Sequence, residues 1–316
     1  MNAKTIGLGL VSAALLCAPA MAAPTLQIKN AAVRVVVVPE DRSDIAVDVF
    51  GANPSLPLTV TRIGGDVIVD GHLPSFLTSC HGSGDGLHAF VFGKGDFPVA
   101  EFPEILVHTP MSVNVNADGI VQGSVARSQD LSVRDGGCGD WTVANVAGAL
   151  DAQVSGIGAI RAGSAHSADL TLSGSGRLSA VSVAAQLNAR LSGSGAIGVQ
   201  SAGSADVTIT GTGAVKTGPL TGGLSADISG AGGLDVASLE GPLTADVSGV
   251  GNVNIPGGHA TTLMAHVSGS GNVRFGGVAD SLDASVSGVG SVDVAKVTGS
   301  VNQHVSGVGY IHIGGR

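Results

Sequence analysis

Beyond about residue 110 the chain alternates between apolar and polar positions. From Leu243 to Ile255, Leu243, Ala245 and Val247 alternate with Thr244, Asp246 and Ser248. After Gly249-Val250-Gly251, Val253 and Ile255 alternate with Asn252 and Asn254. Leu224, Ala226, Ile228, Leu234 and Val236 repeat the pattern, as do Leu282, Ala284, Val286, Val292 and Val294. A period of two puts one set of side chains on one face of a strand. Each unit therefore predicts two short strands, 243–248 and 252–255 in this case, with a glycine corner between them.

The corner recurs. SGIG at Ser155 is followed by SGSG at Ser173 and Ser192, TGTG at Thr210, SGAG at Ser229, SGVG at Ser248, SGSG at Ser268, and SGVG at Ser287 and Ser306, at intervals of 18 to 20 residues. A degenerate GGCG lies one step earlier at Gly136, and a weaker copy around Asn116 to Gly119. A phosphate-binding loop occurs once per site and opens a helix, and a linker keeps neither a period nor fixed apolar columns. The pattern instead predicts an all-β solenoid, a β-helix of ~19-residue coils. One coil offers about five inward apolar side chains, too few to offset the entropy of ordering its backbone, so the coils must stack on one another. Ten or eleven coils at ~4.8 Å spacing make a rod roughly 50 Å long. Glycine suits the corner for two reasons: it reaches positive φ, and it lets one corner stack closely on the next. The Ser or Thr before each glycine pair is expected to form a hydroxyl ladder or to bond the turn backbone. Alternating runs of about five residues are too short for a membrane barrel, whose strands need ~9–11.

Residues 23–110 alternate without that spacing: Leu26 and Ile28, Val33, Val35 and Val37, Ile45, Val47 and Val49, Leu58 and Val60, Val67 and Val69. Six of the seven Phe lie here, Phe50, Phe76, Phe90, Phe92, Phe97 and Phe102. This predicts a β-rich cap over 23–110 ahead of a solenoid over 111–316, because an open strand edge has to be covered. Trp141 takes an inward column of the GGCG coil, near the junction.

Composition adds a compartment. Lys4, the apolar run Ile6 to Cys17 and the small-x-small site Ala20-Met21-Ala22 form a signal-peptide pattern over residues 1–22. Leu16 before Cys17 does not fit a lipobox. The chain carries 15 Lys and Arg against 24 Asp and Glu, a net charge of -9, and cleavage would remove Lys4 and no acid. The absence of a basic patch and the acidic balance argue against nucleic acid and anionic membrane surfaces as partners. Cys80 and Cys138 remain in the mature chain. In an oxidising compartment such a pair forms one disulfide more often than two free thiols, which would pin the cap to the first coils.

Taken with the strand-rich start, the entry segment ILVHTPMSVNVNADG and the repeats SGSGAI and SGSGNV resemble the bacterial family called putative auto-transporter adhesin, head GIN domain, from about residue 26 to 316. The resemblance implies a right-handed single-stranded β-helix. With the signal peptide it implies export to the periplasm or cell surface of a Gram-negative bacterium. No translocator barrel follows Gly315, which argues against self-secretion.

Two clusters are candidates for chemistry. Two residues before each motif Ser or Thr, the outward column reads Gln153, Thr171, Arg190, Thr208, Asp227, Asp246, His266, Ser285 and His304. Asp227 and Asp246 should stack ~4.8 Å apart with His266 next, as a cation site, an acid/base pair or simply a solvated face. The solvated face is favoured, because no cleft is implied. In CHGSGDGLH, His81, Asp85 and His88 have spacings that could deliver metal ligands from a loop, or the stretch is a surface loop tethered by Cys80. No catalytic or cofactor-binding residue is assigned, and no cofactor. Nine repeated hydroxyl residues without a paired base are structural, and a calcium roll would need a nonapeptide Asp column that is absent.

The favoured function is a non-enzymatic envelope or surface protein that binds a glycan or an envelope protein. The alternative is a carbohydrate-active β-helix enzyme, a polysaccharide lyase or hydrolase, which would need acids and bases gathered on one face. A third expectation concerns the end of the chain. The strand holding Ile311 and Ile313 lies close to Arg316, with His304, Tyr310 and His312 outward, so this coil is expected to dock a second copy or a partner.

Overall fold

A computed structural model describes residues 23–74 and 78–314. The signal-peptide pattern over 1–22, Cys17 and Phe76 lie outside the described residues. The alternation in the sequence becomes stacking in the structure. Leu243–Val247 pairs in parallel with Leu224–Ile228 on one side and Leu263–Val267 on the other. Asn252–Ile255 pairs likewise with Gly233–Glu240 and Asn272–Ala279. The register keeps the inward columns in phase. Leu224, Leu243, Leu263 and Leu282 stack on one another, then Ala226, Ala245, Ala265 and Ala284, then Ile228, Val247, Val267 and Val286. All are buried, and together they form one apolar core that runs along the axis. A third short strand, Gly258–Ala260, completes this coil. Three residues are too few to show a period in the sequence. The result is an all-β solenoid of about 11 turns with 66% of residues in strands.

The glycines hold their corners for only one of the two expected reasons. None of the S-G-x-G glycines has a positive φ; that conformation falls elsewhere, at Gly119, Gly241 and Gly258 among others. What the corner demands is close approach. A Cβ on Gly193 would overlap the carbonyl oxygen of Gly174 one coil earlier, and one on Gly174 would overlap that of Gly156. Backbone amides bond turn to turn, as in Ser194 N–H to Gly174 O at 3.1 Å and Val250 N–H to Gly230 O at 3.1 Å. Hydroxyls meet at the third motif position rather than the first, in one pair, where Ser194 Oγ and Thr212 Oγ1 lie 3.1 Å apart.

The parallel stack begins with β1 (Thr25–Glu40), which pairs along Thr25–Val37 with Asn114–Val125 of a later long strand and shifts register at Asn30. The chain next forms β2 (Ala46–Phe50), β3 (Thr59–Ile63) and β4 (Asp66–Asp70). It then leaves the stack for a separate sheet of β5 (Thr78–His81), β6 (His88–Val91) and β7 (Gly95–Pro98). It returns as β8 (Glu104–Pro110) and β9 (Ser112–Val125), the long strand that lies on β1. On its other side β1 pairs in parallel with β4 and β8. β3 pairs antiparallel with β4, and β2 antiparallel with β8. Parallel pairing thus gives way to antiparallel pairing at this end, which covers the edge of the stack.

The β5–β6–β7 sheet is antiparallel and docks on the outside of the first coils. Its inward residues Ala89, Val91 and Phe97 join Leu56, Leu73, Leu87, Val99 and Phe102 in a second apolar cluster, packed on Ala32 of β1 and Ile120 of β9. Cys80 of β5 and Cys138 of the next coil are joined in a disulfide, with Cα atoms 6.4 Å apart. That spacing lies within the usual range for a bridge.

Candidate functional site: the cleft and trough beside the docked sheet

Where the docked sheet meets the coils, outward side chains of successive layers line a cleft of about 580 Å3. Strand register builds it. Glu104 of β8, Arg34 of β1, Gln122 of β9 and Asp140 of strand Cys138–Val143 occupy one outward column. Ser124, Thr142 and Arg161 follow in the next. The charges alternate and pair: Arg34 Nη2 lies 2.8 Å from Glu104 Oε2, and Arg161 Nη1 lies 3.5 Å from Asp140 Oδ1. Asp140 also accepts from the backbone N–H of Gly84 in the β5–β6 connection. Gln122 Nε2 lies 3.5 Å from Asp85 Oδ1 on that same connection. The cleft is thus closed on one side by the docked sheet through polar contacts.

From Asp140 and Arg161 a trough of about 690 Å3 continues across the coils. Its floor is a column of mostly small residues, Ala159, Arg177, Ala196, Ala214 and Gly233, in register on consecutive coils. Ser175, Ser194 and Thr212 border it. Five coils at ~4.8 Å make it about 20 Å long. The small side chains leave room, while the hydroxyls and Arg177 offer hydrogen bonds along its length.

Close to the cleft, the core holds a buried carboxylate and a large aromatic ring. Asp135 occupies the column held by Ala117 before it and Val154 after it, and it is 1% exposed. Burial pushes its carboxyl up to about 6, against the Gly137 amide that bonds Oδ1 at 3.2 Å and favours the charged form; the negative charges of Asp118 and Asp140 raise it further. Oδ2 has no partner. Trp141 lies fully buried in the core, and its ring fills space over Gly123, where a Cβ would overlap it.

The candidate residues fare differently. Asp227, Asp246 and His266 do stack in register on consecutive coils, and His266 Nδ1 lies 2.7 Å from Ser285 Oγ. They line a shallow depression of about 130 Å3. Their donor atoms form a line and do not close on one point. The grouping of His81, Asp85 and His88 is corrected. His81 and His88 come together, but Asp85 faces Gln122 in the cleft. The carboxylate beside the two histidines belongs to Asp96. Asp96 was out of reach of a spacing argument, because its place depends on the pairing of β6 with β7. The trough was not foreseen either, although the run of Ala and Gly at one outward column was a readable sign of it.

Fold and surface together define a β-solenoid with a docked antiparallel sheet and a polar trough on one side. Residues 104–218 match the family described as "Putative auto-transporter adhesin, head GIN domain". The match runs from β8 through the cleft strands and most of the trough, a shorter span than the resemblance from 26 to 316 read from the sequence. No curated protein and no solved structure matches the chain. Among the described residues no helix is long and apolar enough to cross a membrane.

Proposed function

We propose that this protein is an exported, non-enzymatic binding protein of the cell envelope or surface that holds an extended glycan along the trough and cleft. Export rests on the signal-peptide pattern of the first 22 residues, and the adhesin-like description of the matched family supports a binding role. The observation that carries the reading is the continuity of the trough. Mostly small residues floor it over five coils, with Arg177 among them, hydroxyls border it, and Arg161 and Asp140 join it to the cleft. A line of hydrogen-bonding groups repeating every ~4.8 Å suits a chain-like polar ligand. Acid/base catalysis needs a carboxyl group free to reach the scissile bond. In the cleft Glu104 is engaged by Arg34, Asp140 by Arg161 and the Gly84 amide, and Asp85 by Gln122.

The test is retention of envelope polysaccharide fragments on immobilised mature protein, with the eluate examined for shortened products. Wild type should retain a defined glycan and return it intact. Ala196→Trp, which fills the trough floor from an outward position, should lose retention while keeping the melting temperature. Shortened or unsaturated products would favour the enzyme reading, and equal retention by the Trp variant would remove the trough from the account.

A further inference from the structure

The docked sheet carries a second feature on its solvent side, away from the trough. β5 and β6 place His81 directly opposite His88. Residues directly opposed in an antiparallel pair project from the same face, and the two imidazoles stack with centroids 4.9 Å apart. β7 brings Asp96 to that face: its strand partner is Phe90, two residues beyond His88. Asp96 Oδ2 lies 3.1 Å from His88 Nδ1 and 3.5 Å from His81 Nε2. One donor atom from each of the three residues lies within 4.8 Å of the others.

These distances have a chemical meaning. A tetrahedral ion bound at ~2.0–2.1 Å by nitrogen and oxygen ligands has ligand-to-ligand edges of about 3.3 Å. Two edges of such a shell are therefore already in place. The sheet also holds its ligands still. Cys80, Ala89 and Phe97 alternate with the three residues and face the second core, and Cys80 is bridged to Cys138. The ligands come from three paired strands with their inner faces packed, so the backbone positions are set before any ion arrives. Imidazole pairs with one carboxylate suit zinc, nickel and copper, whereas calcium and magnesium prefer shells made of oxygen. His81 is 58% exposed at its side chain and Asp96 42%, so the remaining coordination positions open to solvent.

We propose that His81, His88 and Asp96 form a binding site for a divalent transition-metal ion of the zinc type, with open coordination positions on the outer face of the docked sheet. An ion there ties β5, β6 and β7 together and stabilises the sheet through binding. The same three side chains without an ion would make only a histidine–carboxylate contact, and the experiment separates the two.

Untagged mature protein with its disulfide intact is stripped with chelator and titrated with zinc chloride by calorimetry. The expected result is uptake of one equivalent, at least tenfold weaker in His81→Ala, His81→Gln and Asp96→Asn. Asp85→Ala should bind like the wild type, and calcium should neither bind nor compete. The melting temperature of each stripped variant should match that of stripped wild type, since the altered side chains stand on the exposed face. Absence of stoichiometric uptake, or wild-type affinity in both His81 variants, would overturn the proposal.

Discussion

The C-terminal coils and the docked sheet are built from strands of similar length, yet they arrange side chains differently. In the coils, parallel in-phase stacking puts the residue at one position beside its counterpart some 19 residues later. One outward column reads Thr244, Met264, Asp283 and Asn302, and the next reads Asp246, His266, Ser285 and His304. Neighbours repeat in lines, and each line runs along the axis. In the docked sheet, two short antiparallel connections fold the chain back on itself, so residues 7 to 15 apart in sequence meet on one face, as His81, His88 and Asp96 do. Lines of side chains suit a ligand that is itself a chain. Convergence on a point, which an ion needs, arises where the strands reverse.

The largest effect is expected at a corner. Gly193→Val would drive a side chain into the Gly174 carbonyl. The coils cannot part without losing amide bonds such as Ser192 N–H to Leu172 O at 3.0 Å. Denaturant unfolding should show a loss above ~4 kcal/mol or no folded protein. Gly198→Ala, in the same coil but with open space around it, should change stability by less than ~1 kcal/mol.

Next in size is the bridge. Cys80→Ser should cost about 2–5 kcal/mol in the docked sheet. Hydrogen exchange should quicken at the amides of 78–98 and stay unchanged at 243–286. Thiol counting on the unreduced wild type should find no free cysteine.

The buried carboxyl comes third. The folded pKa of Asp135, about 6, lies above the ordinary value of 3.8, so folding favours its protonated form. Its stabilising contribution is complete below about pH 3.8 and is lost as pH rises through about 6. A shift of that size is on the order of 3 kcal/mol. Asp135→Asn should therefore remove a fall in urea midpoint that wild type shows between pH 5 and pH 7.5. An unchanged difference between those two pH values would assign the fall to other groups.

Smallest is the solvated face of the late coils. Asp246→Ala should shift stability by less than ~0.5 kcal/mol at either pH, because the side chain is exposed and holds no ion pair among the described residues.

The coils were legible in the sequence because each of their features repeats. Strand limits predicted at 243–248 and 252–255 fall at Leu243–Val247 and Asn252–Ile255. The reason for the corner glycines was only half legible, since a sequence shows that Gly is required but not whether φ or a neighbouring carbonyl requires it. The docked sheet was illegible: the alternation that marks strands stops at Val69, and Cys80–His88 reads as a loop, although Thr78–His81 and His88–Val91 are strands. Its role depends on which residues face one another across β5, β6 and β7, and a single pass through a non-repeating segment carries no register. Asp96 is hidden for that reason, whereas Asp85 stands between the histidines in sequence but not in space. Asp135 was equally hidden, since only alignment of its coil with the later ones shows a carboxylate in a column of Val, Leu and Ile.

On the proposed function, ligand contact lies in the trough beside the docked sheet and the later coils serve as scaffold. Paired charge removal separates the two regions, using retention of one envelope polysaccharide by otherwise identical mature proteins. Arg161→Ala with Arg177→Ala should weaken retention at least tenfold, while Asp227→Ala with Asp246→Ala should leave it unchanged. The reverse order, or equal loss in both pairs, would contradict the account.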